Sequence, residues 1–417
     1  MAPERVMEKD LMDGLSIFFV KYLGFWGTVN TYRTSGKVNL LFKIQWFLTF
    51  LCVPFPIFQF MSPAYIKFDL EKATIIILNT TSFFQMTFKQ AVYSMNIKEH
   101  AILLEVMTKD ILRSLPEYKK PHAKRIFEKI SKRCNFWCFI AVVITFTAVS
   151  LWTMNPCISS EYIANHVGNM KDVTTGPKKI LGGWYPVPFT RSPWEEIVYA
   201  YEFLWFFWIG YNVAIYELVI TMEVLTLHAQ MSVLNYHVST LSKKEIVQHS
   251  GKKGLTQREV EDLFYQELLA IIRDHEMLLG YGNRLRNCFN AYITMLLATG
   301  GLLLIASIFQ FLFGAKDAVV SVNYMLYLLY EVAEFIFLCT ATTMLETSST
   351  NIAFSIYSSE WYTSDKRSRD TIQMIMIRSR KPMSLIAVKM YPVNVETLMS
   401  VFQFAYSASA LISRMVE

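Results

Sequence analysis

The sequence predicts an all-α fold: a polytopic seven-transmembrane-helix membrane protein. Three observations carry this. The 417 residues are 53% hydrophobic and only 18% charged, with 31 Phe and 22 Tyr, a balance that soluble domains of this total length do not keep. Seven apolar runs are each long enough to cross a hydrocarbon layer, for which about 20 residues suffice. Lysine and arginine alternate in density between the segments that separate those runs.

Residues 1–37 open with MAPERVMEKDLMDG, which is mixed in charge and lacks a signal-peptide pattern. The first span is therefore expected to act as its own signal. The patch Leu15 to Val29 carries a lysine and two glycines. It reads as an interfacial or re-entrant segment rather than a span.

The seven spans are expected at Val38–Phe60, Ala73–Tyr93, Phe136–Met154, Ile197–Leu225, Ala291–Phe313, Ala318–Thr342 and Val395–Met415. Lys43 sits near one end of the first, where it can snorkel to water. The fourth and sixth exceed the bilayer, so each is expected to tilt or to continue as a helix into water.

Segments 1–37, 92–135, 227–286 and 346–392 hold 30 lysines and arginines, against 8 in segments 61–72, 156–195, 315–317 and 414–417. Basic residues stay in the cytoplasm, so the N-terminus is expected to be cytoplasmic and the C-terminus extracellular. That is the reverse of a G-protein-coupled receptor.

The cytoplasmic segments read as helices. Ile102 to Lys132 and Val260 to Met277 show helical apolar spacing; in the second, Val260, Leu263, Phe264, Leu268, Ile271 and Ile272 share a face. Ser242 to Gln257 is a polar, Gly-containing, basic stretch expected to be a mobile linker. Gly280-Tyr281-Gly282 is expected to break a helix. Asp370 to Met383 is helical but too charged to cross a bilayer, with Arg378, Arg380 and Lys381 among its apolar residues. These pieces suit a bundle for subunit assembly. The chain thus divides into a cytoplasmic or interfacial segment 1–37, spans one to six with their extensions over 38–342, a cytoplasmic anchor region 343–394, and the last span 395–417. The remaining sizeable loop, 156–195, is extracellular. Its Pro and Gly residues argue for irregular structure. Its aromatics Trp184, Tyr185, Phe189 and Trp194 suit a lid over something apolar or an interfacial belt.

Several chemistries find no support. There is no GxSxG, P-loop or HExxH pattern, and no enzyme is expected. The seven histidines are dispersed, and the six cysteines form neither a CxxC pair nor a disulfide framework. No metal and no cofactor are implied, and no basic-aromatic groove for nucleic acid.

Four acids, Glu202, Glu217, Glu331 and Glu334, fall inside spans. Such residues are costly in hydrocarbon. Glu331 and Glu334 share a helix face, and either contribute to a cation path or hydrogen-bond between helices. Aromatic and hydroxyl residues recur at helical spacing in four spans: Thr80, Phe83 and Phe84; Thr145, Ala148 and Trp152; Tyr199, Glu202, Phe203 and Phe206; Tyr324, Tyr327 and Tyr330. Stripes of this kind either pack helices together or wall a pocket for a small volatile organic molecule with one polar handle. Asn79-Thr80-Thr81 matches a glycosylation sequon but lies inside a span, where it is expected to be unused.

Val395–Met415 has charges only at its ends, Glu396 and Arg414, and is rich in small and hydroxylated residues, among them Ser400, Ala405, Ser407 and Ala410. A helix facing only lipid has no need of them, whereas one packed against others or lining water does.

The last sixty-odd residues carry Tyr357, Trp361-Tyr362, Lys381-Pro382-Met383-Ser384, Lys389-Met390-Tyr391, Ser400 and Tyr406-Ser407 before a short apolar end. In order and spacing, this tail resembles the C-terminal signature of the insect odorant receptors, and the chain stops where that family stops. Leu23-Gly24-Phe25-Trp26 is similar to the family's start. The resemblance implies a ligand pocket between the outer halves of the helices just named. It also implies a cytoplasmic subunit anchor bearing Tyr357, Trp361, Tyr362, Lys381 and Pro382, and a last helix that lines an ion pore. Matching from Ser400 onward puts an apolar gate at Leu411 and Met415, with Ser407 and Arg414 at the pore. Arg414 departs from the neutral polar residue that suits a cation pore, and the long cytoplasmic insertion of the co-receptor is lacking. Either Arg414 points to lipid headgroups, or few copies of this chain sit around the pore; the second option, with the missing insertion, implies a tuning subunit that forms a heteromer, a heterotetramer, with the odorant-receptor co-receptor. The expected setting is the plasma membrane of a sensory-neuron dendrite. A gustatory-type homomeric channel and a secondary transporter are the alternatives; the transporter lacks matching broken half-repeats.

Overall fold

The computed structural model describes residues 25–65, 70–108, 115–158, 180, 184–188, 191–251, 254–314, 318–388 and 390–416. Most of the Leu15 to Val29 patch and most of loop 156–195 lie outside these residues.

The described chain is a bundle of helices. α1 (Phe25–Ser35) leads into α2 (Leu40–Cys52), which starts where the Asn39 side chain accepts from the Phe42 amide at 3.0 Å. α2 stops at Val53 because Pro54 has no amide to continue the ladder, and α3 (Pro54–Tyr65) follows. The first expected span is thus two helices joined at a proline. α4 (Leu70–Met95) and α5 (Ile97–Thr108) come next, then α6 (Lys120–Ile158) and α7 (Trp194–Ser239).

A short helix α8 (Lys243–His249) lies within the stretch expected to be a mobile linker. α9 (Gln257–Phe309) begins at a capping box: the Thr256 hydroxyl accepts from the Glu259 amide, and Glu259 Oε2 accepts from the Thr256 amide at 2.8 Å. α9 ends in a π turn over 310–314, where Gln310 bonds Thr74. α10 (Ala318–Tyr357), α11 (Lys366–Ser379) and α12 (Val395–Val416) complete the order. A hairpin of β1 (Ile386–Ala387) and β2 (Tyr391–Pro392) joins α11 to α12.

Six described helical stretches are long and apolar enough to cross a membrane: Leu40–Ser62, Glu117–Met154, Trp194–Ser239, Gln257–Leu312, Tyr324–Tyr357 and Val395–Arg414. α4, expected as the second span, falls short of that hydropathy because it carries Asn79, Gln85, Lys89 and Gln90. All four are buried among neighbouring helices. The apolar windows on α7 and α9 are 56% and 50% buried, against 22% for α2–α3 and 17% for α12. α7 and α9 are therefore central, and α12 lies at the edge, packed on α9 and α10.

α7, α9 and α10 run well beyond a bilayer, as their length required. At a rise of about 1.5 Å per residue, the 53 residues of α9 extend to roughly 80 Å. Gly280 and Gly282 do not break this helix, contrary to expectation. A Cβ on Gly282 would collide with the Met383 side chain, so the glycine lets the turn after α11 close onto α9. There Arg286 donates to the Ser384 carbonyl at 3.0 Å, and the Met383 amide donates to Ser349 at 2.9 Å. The end of the bundle holding residues 184–188 is termed the loop end, and the end holding α11 the anchor end.

Candidate functional site

α4, α6, α7 and α10 surround a cavity towards the loop end with about 590 Å³ of unfilled space. α4 contributes Ser82 and Gln85; α6 contributes Thr145, Ala148, Val149 and Trp152; α7 contributes Phe206, Ile209, Gly210 and Val213; α10 contributes Tyr327, Tyr330, Glu331 and Glu334. Each set recurs at three- or four-residue steps, so each helix presents one face.

Trp152 organises the aromatic wall. It stacks on Phe206 at 5.8 Å, meets Tyr324 edge-on at 5.3 Å and contacts Tyr327 at 5.9 Å between ring centroids. Tyr327 also shares a hydrogen bond with the Ser82 hydroxyl. Gly210 is required by closeness, since a Cβ there would come within 2.5 Å of Val149 Cγ2.

A second cavity, of about 500 Å³, lies closer to the anchor end between α6, α7 and α10. It shares Thr145, Tyr330 and Glu334 with the first. Between and behind the two sits an ionic cluster. Lys89 Nζ of α4 contacts Glu334 Oε1 of α10 at 2.5 Å and Glu217 Oε1 of α7 at 2.7 Å. Tyr292 of α9 donates to Glu217, and Tyr330 donates to Glu334 at 3.2 Å. Three helices are thus tied by charge, and α9 by a hydrogen bond, at the floor of the loop-end cavity. A lone ion so deep in the bundle would be prohibitive, and here Lys89, Glu217 and Glu334 are paired.

The expected ligand residues divide. Thr145, Ala148, Trp152, Phe206 and Tyr327 come together at the cavity. Tyr324 stands behind Trp152. Tyr199 donates to the Thr153 carbonyl at 3.0 Å, between α7 and α6. Phe83 is buried against Trp205 at 6.1 Å, and the Thr80 hydroxyl turns back to the Ile76 carbonyl. Phe84 and Phe203 are 55% and 38% exposed, on outward faces of the bundle.

Glu202 has a different occupation from the polar handle expected of it. Its Oε2 accepts from the Ile180 amide at 2.7 Å and its Oε1 from the Tyr185 hydroxyl at 2.6 Å. Tyr185 in turn packs against Phe55 and Phe58, and the Trp184 amide donates to Ser62 at 2.8 Å. The carboxylate clasps the described part of loop 156–195 onto the bundle.

On α12, Ala405, Ser409 and Ser413 are buried, and Ser409 donates to the Ile305 carbonyl of α9 at 3.1 Å. The other side is open: Ser400, Gln403, Ser407, Ala410, Leu411 and Arg414 are exposed in register. The side chain of Met415 lies outside the described residues. Of the expected anchor residues, Tyr357, Tyr362, Lys381 and Pro382 are exposed at the anchor end and Trp361 is half-buried.

Comparison with known proteins adds to this geometry. The sequence model of the 7tm odorant receptor family matches residues 69–406. The chain belongs to that family. It is similar to odorant receptor 42a of Drosophila melanogaster, at 24% identity over 185 residues, 44% of each chain. It is also similar to odorant receptor 85a of the same species, at 25% over 186 residues, 44% of this chain and 45% of the relative. These matches span less than half the length of each relative. The insect olfactory receptor OR5 from Machilis hrabei, solved in complex with eugenol, shares the fold with a TM-score of 0.72 and 17% identity over 88% of each chain. A second structure of OR5 gives a TM-score of 0.71 and 18% identity over 88% of this chain and 87% of that one.

Ser82, Gln85, Ile209, Gly210 and Val213 were not anticipated as lining residues. Nor was Lys89, although a lysine inside an expected span, in a chain with several span acids, was a legible signal.

Proposed function

We propose that this odorant receptor is the ligand-recognising subunit of an odorant-gated, non-selective cation channel. The loop-end cavity is the odorant site, and Thr145, Ala148, Trp152, Phe206 and Tyr327 are its expected contacts. The observation that carries this reading is a largely apolar, aromatic cavity between four helices, with a few polar groups, Ser82, Gln85, Thr145, Glu331 and Glu334, in its lining. The eugenol complex of the structurally similar OR5 supports a small organic ligand for this fold.

The open face of α12 supports the channel. Gln403, Ser400, Ser407 and Arg414 project from a helix of spanning length with no covering element among the described residues. Hydrocarbon would leave the Gln403 amide unsatisfied, and a water-filled pore would not. Leu411, with Met415 beyond it, is the gate in this reading. One Arg414 per subunit is easier to accommodate in a heterotetramer with the co-receptor than in four copies of this chain, since like charges repel around a mouth. Tyr357, Trp361, Tyr362, Lys381 and Pro382 belong to the anchor region over 343–394, which meets other subunits in the cytoplasm. The N-terminus is then cytoplasmic, the C-terminus extracellular, and the protein resides in the plasma membrane, in keeping with a sensory dendrite.

Ligand binding favours the open state only through contacts that differ between states. The ionic cluster beneath the cavity reaches α9, and α9 carries α12, so a contiguous route for such a difference exists. Co-expression with the co-receptor tests the function. Odorant-evoked current should be lost on Ala148→Trp, which fills the cavity, with surface expression retained. Undiminished current in that variant would place the odorant elsewhere.

A further inference from the structure

Two buried polar atoms on the wall of the loop-end cavity have no hydrogen-bond partner: Trp152 Nε1 and Glu331 Oε2. The two residues are 9% and 2% exposed. A buried polar group left in this state is costly, and its cost is removed by whatever fills the cavity with matching chemistry.

The charges narrow that chemistry. Lys89 is the cation that meets the acids here, and its contacts go to Glu217 and Glu334. Glu331 lies one turn before Glu334 and forms no ion pair among the described residues. The cluster therefore contains three carboxyl groups and one ammonium. Glu331 is the acid left over, and it faces the cavity.

An indole N–H only donates, so its partner must accept. A carboxylate only accepts, so its partner must donate; a protonated carboxyl group adds a donor and keeps an acceptor. An ether, ester or ketone offers an acceptor alone. A protonated amine offers donors alone. A hydroxyl accepts and donates through one oxygen, and it suits Glu331 in either protonation state. Tyr327 lies next to both residues in the lining. Its ring is 5.9 Å from that of Trp152, and it precedes Glu331 by one turn of α10. The two unpartnered groups thus belong to side chains that adjoin Tyr327 in the lining of one cavity.

We propose that the cavity takes a small volatile alcohol or phenol. Its hydroxyl accepts a hydrogen bond from Trp152 Nε1 and donates one to Glu331. Trp152 and Glu331 are then the specificity-determining pair, while the aromatic wall supplies apolar contact without distinguishing functional groups. This rests on the reading of the cavity as the odorant site.

The test is a set of current recordings from cells expressing the full chain with the co-receptor. The probes are aliphatic and aromatic volatiles matched in carbon skeleton as alcohol or phenol, methyl ether, ketone and primary amine. The best hydroxyl compound should act at a concentration at least about 10-fold lower than its methyl ether, the scale of one hydrogen bond to a charged group. Trp152→Phe keeps an aromatic ring, removes the N–H and should shrink that ratio to about 3-fold or less. Glu331→Leu should do the same. A panel led by ethers, ketones or amines would overturn the proposal, as would silence to every hydroxyl compound. If Ala148→Trp abolishes the currents but both variants keep the full ratio, the hydroxyl assignment fails and the odorant site stands. If Ala148→Trp leaves the currents intact, the odorant site itself is wrong.

Discussion

Replacing Lys89 with methionine is the sharpest perturbation of the fold. The ammonium is 1% exposed and touches Glu334, also 1% exposed, and Glu217, 13% exposed. Methionine fills a similar volume, so packing is nearly conserved and the change is electrostatic. Two carboxylates then face each other across α7 and α10 without a cation. Removing one partner of a buried ion pair costs about 3–5 kcal/mol, enough to lower the melting temperature by several degrees. Replacing a whole buried ion cluster by neutral groups of similar shape is often close to neutral. The triple variant Lys89→Met, Glu217→Gln, Glu334→Gln should therefore recover most of the loss. The assay is fluorescence-detected gel filtration of detergent-solubilised protein after heating. A single variant that melts with the parent would show that the cluster does not hold α4, α7 and α10 together. A triple variant as unstable as the single one would show that charge is not the reason.

Individual contacts give further expectations. Gly210→Ala pushes a methyl group against Val149 in the cavity wall. Overpacking of this kind costs about 1–3 kcal/mol, and dose–response curves should shift further for bulky odorants than for small ones. Glu202→Gln weakens the charge-assisted bonds to Ile180 and Tyr185, and hydrogen exchange at the Ile180 amide should quicken while the anchor end is unchanged. Burial pushes the His275 imidazole down to about 4, and the nearby Arg378 charge adds to this. His275 precedes the span expected from Ala291 by about 24 Å of helix. Its folded pKa lies below its unfolded value near 6.5, so its contribution is complete above pH 6.5. That contribution is lost as pH falls from about 6.5 to about 4, at about 1.4 kcal/mol per pH unit. Melting temperatures across that window should fall less steeply for His275→Gln than for the parent.

The parts of this fold that were legible are those set by long-range patterning. Apolar runs and helical spacing marked the spans, and length alone required α7 and α10 to tilt or to continue into water. The face carrying Thr145, Ala148 and Trp152 was readable because steps of three and four residues put side chains on one side of a helix. Which neighbour that side meets is a property of packing. Phe84 shares the spacing of its stripe yet points outward, because each residue adds about 100° of rotation, enough to carry a side chain from interior to surface. Glu202 looked like a ligand handle because its neighbours along the chain give no sign of Tyr185 and Ile180 folding back onto it. Gly282 looked like a helix break because sequence does not display Met383, far along the chain, that needs the space. Lys89 was legible as a lysine inside an expected span, but its partners appear only when carboxyl groups from two other helices converge on it.

The most direct test of the account is whole-cell current under a panel of volatile compounds, in cells expressing this chain alone, the co-receptor alone, or both. The account predicts odorant-evoked inward cation current only with both, sensitive to Ala148→Trp in this chain. Odorant-evoked current from this chain alone would contradict the heteromeric subunit. No odorant-evoked current in any cell, with both chains demonstrated at the surface, would contradict the ligand-gated channel itself.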